Sequence, residues 1–395
     1  MKKTMNTIQF ATRMNSIPRS FIREILKATS QPDVISFAGG LPNPEYFPAE
    51  GIARAAQKVL NEDSRSVLQY GVSEGYYPLR KFISERYKSK HGIEISPEEI
   101  LIVNGSQQGI DLAGKIFIDQ GDKVLLENPS YLGAIQAFSA YQPEFITMPL
   151  LEDGPDAEYF KAIMKKEKIR LFYSIPNFQN PSGISYSLYK REIVSDILKA
   201  HDTILVEDDP YGEIRFSGES LPPLKKFLPQ NSVLLGSFSK IMAPGLRLGW
   251  VAAQKNIIEK MIIAKQACDL HSNFLSQRVI YQFLKDEDLD EHIERIRSAY
   301  KVQCHLMLTA LEKYFPAGSS WTRPEGGIFI WVTLAERMNA YDFLKRATEH
   351  KILFVPGKTF FAGNGGENTI RLNFSNSTAV QIEEGIKRLG IIISG

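Results

Sequence analysis

From Ile100 to about Leu284, short apolar runs alternate with helical stretches, and this alternation constrains the fold more than any other feature of the chain. The runs are Ile100–Val103, Lys123–Glu127, Leu171–Ile175, Ile204–Glu207 and Val233–Gly236. Each is too short for a helix and lacks the polar alternation of a strand with one wet face. The pattern predicts a mostly parallel sheet covered by helices, an α/β architecture. Ligands of such sheets bind outside the carboxyl ends of the strands, and the chemically suggestive residues of this chain fall at those ends. From about Asp286 the pattern changes to a long charged helix, Glu291 to about Tyr314, and then to a smaller α+β unit. In that unit Gly326–Trp331 reads as one strand and Thr369–Phe374 as another. The expected organisation is an N-terminal arm and helix (1–45) belonging with a small domain, a large domain (46–285) and the small C-terminal domain (286–395).

The stretch Ser237-Phe238-Ser239-Lys240 followed by Pro244-Gly245-Leu246-Arg247-Leu248-Gly249-Trp250 lies between two apolar runs, and the second, Leu246 to Ala253, reads as a buried strand. Lys240 is thereby expected at a strand-to-turn edge, partly desolvated, which lowers an amine's pKa and makes it a nucleophile toward carbonyls. Ser237, Ser239 and Arg247 supply hydroxyls and a guanidinium suited to holding a phosphate. A lysine able to form a Schiff base beside a phosphate cradle suggests pyridoxal 5'-phosphate (PLP).

Other candidates stand at neighbouring strand ends. Asn104-Gly105-Ser106-Gln107 follows the first run and opens a helix, so its backbone N–H groups and the Ser106 hydroxyl suit a phosphate, although Ser106 could equally be an N-cap. Tyr131 after the second run could stack on a heteroaromatic ring or belong to the core. Glu207-Asp208-Asp209 puts three acids at a buried edge, which is costly without a cation. A protonated pyridine nitrogen would serve; a Ca²⁺ or Mg²⁺ ion is the alternative. Arg371, inside an apolar strand, needs an anion, from substrate or from a structural carboxylate. The Gly39-Gly40 turn permits close backbone approach to a ligand, or is only a sharp loop.

These motifs together resemble the class I aminotransferases of PLP fold type I, and within them the subgroup containing 2-aminoadipate aminotransferase and kynurenine aminotransferase II. The resemblance runs from Arg23 to Arg371. It implies Lys240 as the cofactor lysine, Asp208 as partner of the pyridine nitrogen, and Tyr211 and Asn180 (in Asn-Pro-Ser-Gly, where threonine is commoner than serine) near the cofactor's phenolic oxygen. It also implies cofactor contacts from Ser106, Gln107, Tyr131, Ser237, Ser239 and Arg247. Arg371 would bind the substrate's α-carboxylate, Gly39 and Gly40 would border the substrate, and Arg23 would reach a side-chain carboxylate. Tyr70 would reach the cofactor phosphate of a partner subunit, which implies a homodimer with shared active sites. The implied activity is transfer of an amino group from an L-amino acid such as 2-aminoadipate, glutamate, leucine or an aromatic one to a 2-oxo acid such as 2-oxoglutarate. The alternatives are a lyase of the same fold type and a PLP-binding regulator without turnover; the second is disfavoured by the absence of a helix-turn-helix pattern in the first 45 or so residues.

Composition limits the partners. A net charge of +2 over 395 residues gives no electrostatic footprint for nucleic acid or an anionic membrane. Met1 to Gln9 lacks the apolar run of a signal peptide, and no stretch approaches the length of a spanning helix. Cys268 and Cys304 lie far apart without metal-ligand spacing, as expected of reduced thiols in a cytoplasmic protein, each in the core or on a helix. No metal is expected.

Overall fold

The structure, a computed structural model, describes residues 8–15, 17 and 33–394. All five apolar runs are strands in it, with ends shifted by at most two residues. In chain order the strands are β1 (Ile35–Ser36), β2 (Ile100–Val103), β3 (Lys123–Asn128), β4 (Glu144–Leu151), β5 (Gly154–Pro155), β6 (Ile169–Ser174) and β7 (Ile204–Asp208). They continue as β8 (Ser232–Ser237), β9 (Gly249–Ala252), β10 (Ser320–Trp321), β11 (Phe329–Thr333), β12 (Ile352–Leu353), β13 (Val355–Pro356) and β14 (Thr369–Asn373). Eight of them form one sheet in the order β2-β9-β8-β7-β6-β3-β4-β5. From β8 through β7, β6 and β3 to β4 every neighbour is parallel. Strand β9 runs against both β2 and β8, and β5 folds back on β4. Every residue of β2 and β8 is buried, as helices on both faces require of a parallel sheet.

The reversed direction of β9 corrects the expectation that Leu246 to Ala253 is one strand. Pro244–Leu246 is instead a 3₁₀ turn, and Arg247 is left-handed at φ 53°. Proline fixes φ for such a turn, and the left-handed residue reverses the chain. The amino end of β9 therefore meets the carboxyl end of β8. Register places Gly236 opposite Trp250 and Ser237 opposite Gly249. A Cβ on Gly236 would stand 2.2 Å from the Trp250 ring, and one on Gly249 would stand 2.6 Å from the Gly236 carbonyl oxygen. Glycine at both positions is what lets the indole and the two backbones fit.

A second sheet, β10-β11-β14-β13, is antiparallel throughout, and β1 pairs in parallel with β12. The chain just before residue 40 is thereby joined to the C-terminal part. The expected strand Gly326–Trp331 begins only at Phe329. A Cβ on Gly326 or Gly327 would meet the Phe178 side chain at 2.3 or 2.5 Å, so the two glycines form a turn against that ring. The long helix, Leu289–Tyr314, buries Ile293, Ile296, Tyr300, Cys304, Met307 and Leu311, a helical stripe that packs on the last helix, Ala379–Ser394. One apolar core reaches from Ile102 through Phe37 to Ile330, joining the two sheets. Contrary to expectation Cys268 is exposed: its helix ends at Gln266, and Lys115 Nζ lies 2.7 Å from its sulfur. No helix among the described residues is long and apolar enough to cross a membrane.

Candidate active site

A cavity of about 460 Å³ opens where β2, β3, β6, β7 and β8 end and β9 begins. Ser106, Gln107, Tyr131, Asn180, Asp208, Tyr211, Ser237, Ser239, Lys240, Arg247, Gly40 and Arg371 all line it. Gly39 adjoins this lining without belonging to it. Tyr70 does not reach the cavity of its own chain. It is 78% exposed, with its ring edge-on to His271 at 5.7 Å. Arg23 lies outside the described residues.

The phosphate-like end is built on a helix N-terminus. Gly105, at φ 77°, is the N-cap of helix Ser106–Phe117, so Ser106 is the first helical residue and not the cap that its residue type allowed. The first turn's N–H groups have no acceptors within the helix and carry the positive end of its dipole, which favours an anion. Ser237 ends β8 and accepts the Ser239 N–H at 3.1 Å. Arg247 donates to the Asn104 carbonyl at 3.1 Å, and a Cβ on Gly105 would come within 3.0 Å of the same guanidinium. Glycine thus gives Arg247 its place. The Gln107 side chain is occupied with scaffolding: it donates to the Gly133 carbonyl at 2.8 Å and accepts the Tyr131 hydroxyl at 3.3 Å.

The acid triplet diverges. Glu207 accepts the Leu224 and Lys225 N–H groups at 2.7 and 2.9 Å. Asp209 accepts the Asn177 amide at 3.0 Å and the Gly212 N–H at 2.9 Å. Only Asp208 faces the cavity, so the three carboxylates do not converge on a common ion. Asp208 Oδ2 accepts the Tyr173 hydroxyl at 2.8 Å, while the buried Oδ1 has no hydrogen-bond partner among the described residues. Burial pushes the acid up to about 7; the Tyr173 hydroxyl opposes this, the charges of Asp209 and Glu127 add to it, and the Ser106 hydroxyl opposes it from beside the carboxylate. An orphaned buried carboxylate oxygen is costly, and a cationic N–H from a ligand would satisfy it.

Lys240 is half-buried and donates to the Gly40 carbonyl at 2.8 Å, with its nitrogen 5.9 Å from the centre of the Tyr211 ring. Burial lowers its ammonium to about 8, helped by the positive charges of Arg371 and Arg247. A large share is then free amine in mildly basic solution. Burial also holds the Tyr211 phenol well above its ordinary range, so it stays a proton donor.

Arg371 sits mid-strand in β14, between β11 and β13, and is 1% exposed. It donates to Asn180 Oδ1 at 2.8 Å and to the Ala38 carbonyl at 2.7 Å, and its carbon lies 4.2 and 4.9 Å from the ring centres of Phe329 and Phe360. Among the described residues its Nε has no partner, and no carboxylate pairs with it. Among the described residues, then, no structural carboxylate holds this guanidinium. Burial depresses it to about 10. Tyr173, read from the sequence only as part of an apolar run, is the residue missed. Its signal was a hydroxyl inside a buried strand, which must find an acceptor.

An amine poised for a carbonyl, an anion cradle, a carboxylate oxygen awaiting a cationic N–H and a guanidinium awaiting a carboxylate share one cavity at the carboxyl edge of the sheet. Together they suit PLP and an amino acid, and with this sheet they define a fold-type-I transaminase. The chain belongs to the aminotransferase class I and II family, whose model matches residues 33–389. It is 42% identical over 386 residues to aromatic-amino-acid aminotransferase 1 of Thermococcus litoralis, covering 96% of this chain and 93% of that protein. The crystal structure of α-aminoadipate aminotransferase from Thermus thermophilus, complexed with N-(5'-phosphopyridoxyl)-L-leucine, superposes with a TM-score of 0.91 at 42% identity, over 98% of this chain and 97% of that one. Pyrococcus horikoshii kynurenine aminotransferase, in complex with pyridoxamine phosphate, kynurenine and its product, gives 0.93 at 40% identity, over 98% and 96%. The protein is a PLP-dependent transaminase acting on an amino acid and a 2-oxo acid.

Proposed function

We propose that this transaminase takes its amino group from 2-aminoadipate, glutamate, leucine or an aromatic amino acid and passes it to a 2-oxo acid such as 2-oxoglutarate. The observation that carries the amino acid reading is Arg371, a buried guanidinium with aromatic faces and neutral acceptors around it but, among the described residues, no carboxylate. Its free N–H groups suit a substrate α-carboxylate, and fixing that group sets which bond at Cα is presented to the cofactor. Bound PLP supplies an aldehyde for amine capture and a ring that takes up the electron pair left at Cα. Asp208 Oδ1 would hold a proton on the ring nitrogen, and the cradle of the Ser106–Phe117 helix N-terminus, Ser237, Ser239 and Arg247 would hold the phosphate. The Lys240 amine would hold the cofactor's aldehyde carbon at rest and, when free, would take the proton from the substrate's Cα and give it to that same cofactor carbon. Asn180, held by Arg371, and the Tyr211 hydroxyl would serve the phenolic oxygen.

The relatives named above act on aromatic, aminoadipate and kynurenine substrates, which supports a broad donor range. Arg23 is assigned to the distal carboxylate of dicarboxylic donors. A homodimer is proposed in which Tyr70 completes the partner's phosphate site, with the small domain formed by 1–45 and 286–395, the large one by 46–285, and a cytoplasmic location. The deciding experiment is the visible spectrum of the PLP-loaded protein on adding 2-aminoadipate, glutamate, leucine or phenylalanine, one at a time, without an oxo acid. The yellow absorbance should give way to the pyridoxamine form, fastest with the preferred donor. A yellow protein that none of the four bleaches would refute the donor range.

A further inference from the structure

Asp208 is the only member of its acid triplet in the cavity, and its two oxygens are not equivalent. Oδ2 is taken by the Tyr173 hydroxyl at 2.8 Å, while Oδ1 has no partner among the described residues. Tyr173 is itself fully buried, in the middle of the sheet, paired with Leu126 on one side and Val206 on the other. The Phe138 ring stands edge-on to it at 5.8 Å. Its ring has no room to turn, and Asp208 is the one hydrogen-bond partner of its hydroxyl among the described residues. With Asp208 ionised the carboxylate has no proton to give, so the phenol donates and the carboxylate accepts.

We propose that Tyr173 is a positioning residue for the transamination: by occupying Oδ2 it leaves Oδ1 as the oxygen presented to the cofactor's ring nitrogen, and by donating to the carboxylate it keeps the proton between them on nitrogen. The proposal rests on the placement of PLP described above. Its physical basis is a competition. Burial, and the negative charges of Asp209, the next residue beyond the strand, and Glu127 on β3, make Asp208 a stronger base. Lys240 and Arg371 bring positive charge to the same cavity, and Tyr131 and Tyr211 line it as phenols. Against the base-strengthening effects stand the Tyr173 hydroxyl from β6, which bonds Oδ2, and, more weakly, the Ser106 hydroxyl from the helix after β2, which lies beside the carboxylate without bonding Oδ1. A carboxylate that accepts a hydrogen bond is a weaker base than a bare one. Without the phenol, Asp208 would draw the shared proton toward itself, and the ring would lose the charge that lets it take up electrons.

The test is the ¹⁵N resonance of PLP labelled at the ring nitrogen and bound to wild-type protein, Tyr173→Phe and Asp208→Asn. The wild type should show a protonated nitrogen and Asp208→Asn an unprotonated one, with Tyr173→Phe in between. In Tyr173→Phe, kcat should fall about tenfold or more, the loss expected for one hydrogen bond to a charged group, with KM for the amino acid little changed. The acid limb of its pH–rate profile should move up by about one unit, because a more basic Asp208 is lost to protonation at higher pH. A resonance that moves in Asp208→Asn but not in Tyr173→Phe overturns the role of Tyr173 and leaves the cofactor placement standing. One that moves in neither overturns both. Should Tyr173→Phe not fold, 3-fluorotyrosine installed at position 173 donates more strongly and should move the acid limb to lower pH; an unmoved limb overturns the proposal.

Discussion

Lys240 and Arg371 are both cations placed where burial works against their charge, and for Lys240 that conflict is measurable without any substrate. Its folded-state pKa is depressed from 10.5 to about 8, chiefly by burial. Below about 8 the lysine is charged in both the folded and unfolded states, and the cost of burying the charge is carried in full. Between about 8 and 10.5 the unfolded chain binds more protons than the folded one, so this group's contribution to stability becomes more favourable as pH rises. Lys240→Met should therefore raise the stability of the cofactor-free protein most near neutral pH, and the gain should shrink toward pH 10.5. Denaturant melts of both proteins across that range check it, and a gain that does not change with pH would contradict the depressed amine. The same variant should lose nearly all turnover. Arg371→Ala removes a charge-assisted contact that every amino acid substrate shares. Its kcat/KM should fall by about 10²- to 10⁴-fold for 2-aminoadipate and leucine alike, measured in parallel assays. A loss confined to one substrate would move the α-carboxylate site elsewhere.

At the scale of elements, the strands were legible because a parallel strand buried on both faces is a continuous apolar run, and Ile100–Val103 has the same ends in sequence and structure. The approach to β9 was not legible, because Leu246 and Leu248 are apolar without being strand; the turn at Pro244 and the left-handed Arg247 override them. The polar scaffold was hidden for another reason. Glu127 accepts from Ser174, Tyr186, Ile175 N–H and Gln179 at 2.8, 2.5, 3.1 and 2.8 Å, partners up to 59 residues away that no local pattern connects. Of the site, Lys240, Asp208, Asn180 and Arg371 could be read because short motifs mark them, whereas Tyr173 sits in a run that looks purely structural. The loop before helix Ser106–Phe117 gives an element-level prediction. Gly105 combines φ 77° with a Cβ position 3.0 Å from Arg247. Gly105→Ala should strain that backbone by about 1–3 kcal/mol and displace the guanidinium, weakening PLP binding by roughly tenfold or more in a fluorescence titration of the cofactor-free protein. Unchanged affinity would remove this loop from the phosphate site.

At the scale of the whole molecule the position to explain is Tyr70, a large aromatic 78% exposed outside its own cavity, just beyond helix Ala49–Val67. In the proposed homodimer its hydroxyl donates to the phosphate held by the partner, so each site takes Lys240 from one chain and Tyr70 from the other. That division makes a prediction a self-contained monomer could not meet. Tyr70→Ala and Lys240→Ala should each be impaired as pure proteins, because every site in either dimer lacks one of the two residues. When the two are unfolded together in equal amounts and refolded, about half of the dimers should be mixed. Each mixed dimer pairs the Lys240 of one chain with the Tyr70 of the other in one site and puts both lesions in its second. Activity of the refolded mixture should therefore rise to about a quarter of that of wild-type protein treated the same way. If each site were built from a single chain, mixing could only average the two variants, and a mixture no more active than that average would place Tyr70 outside the shared site.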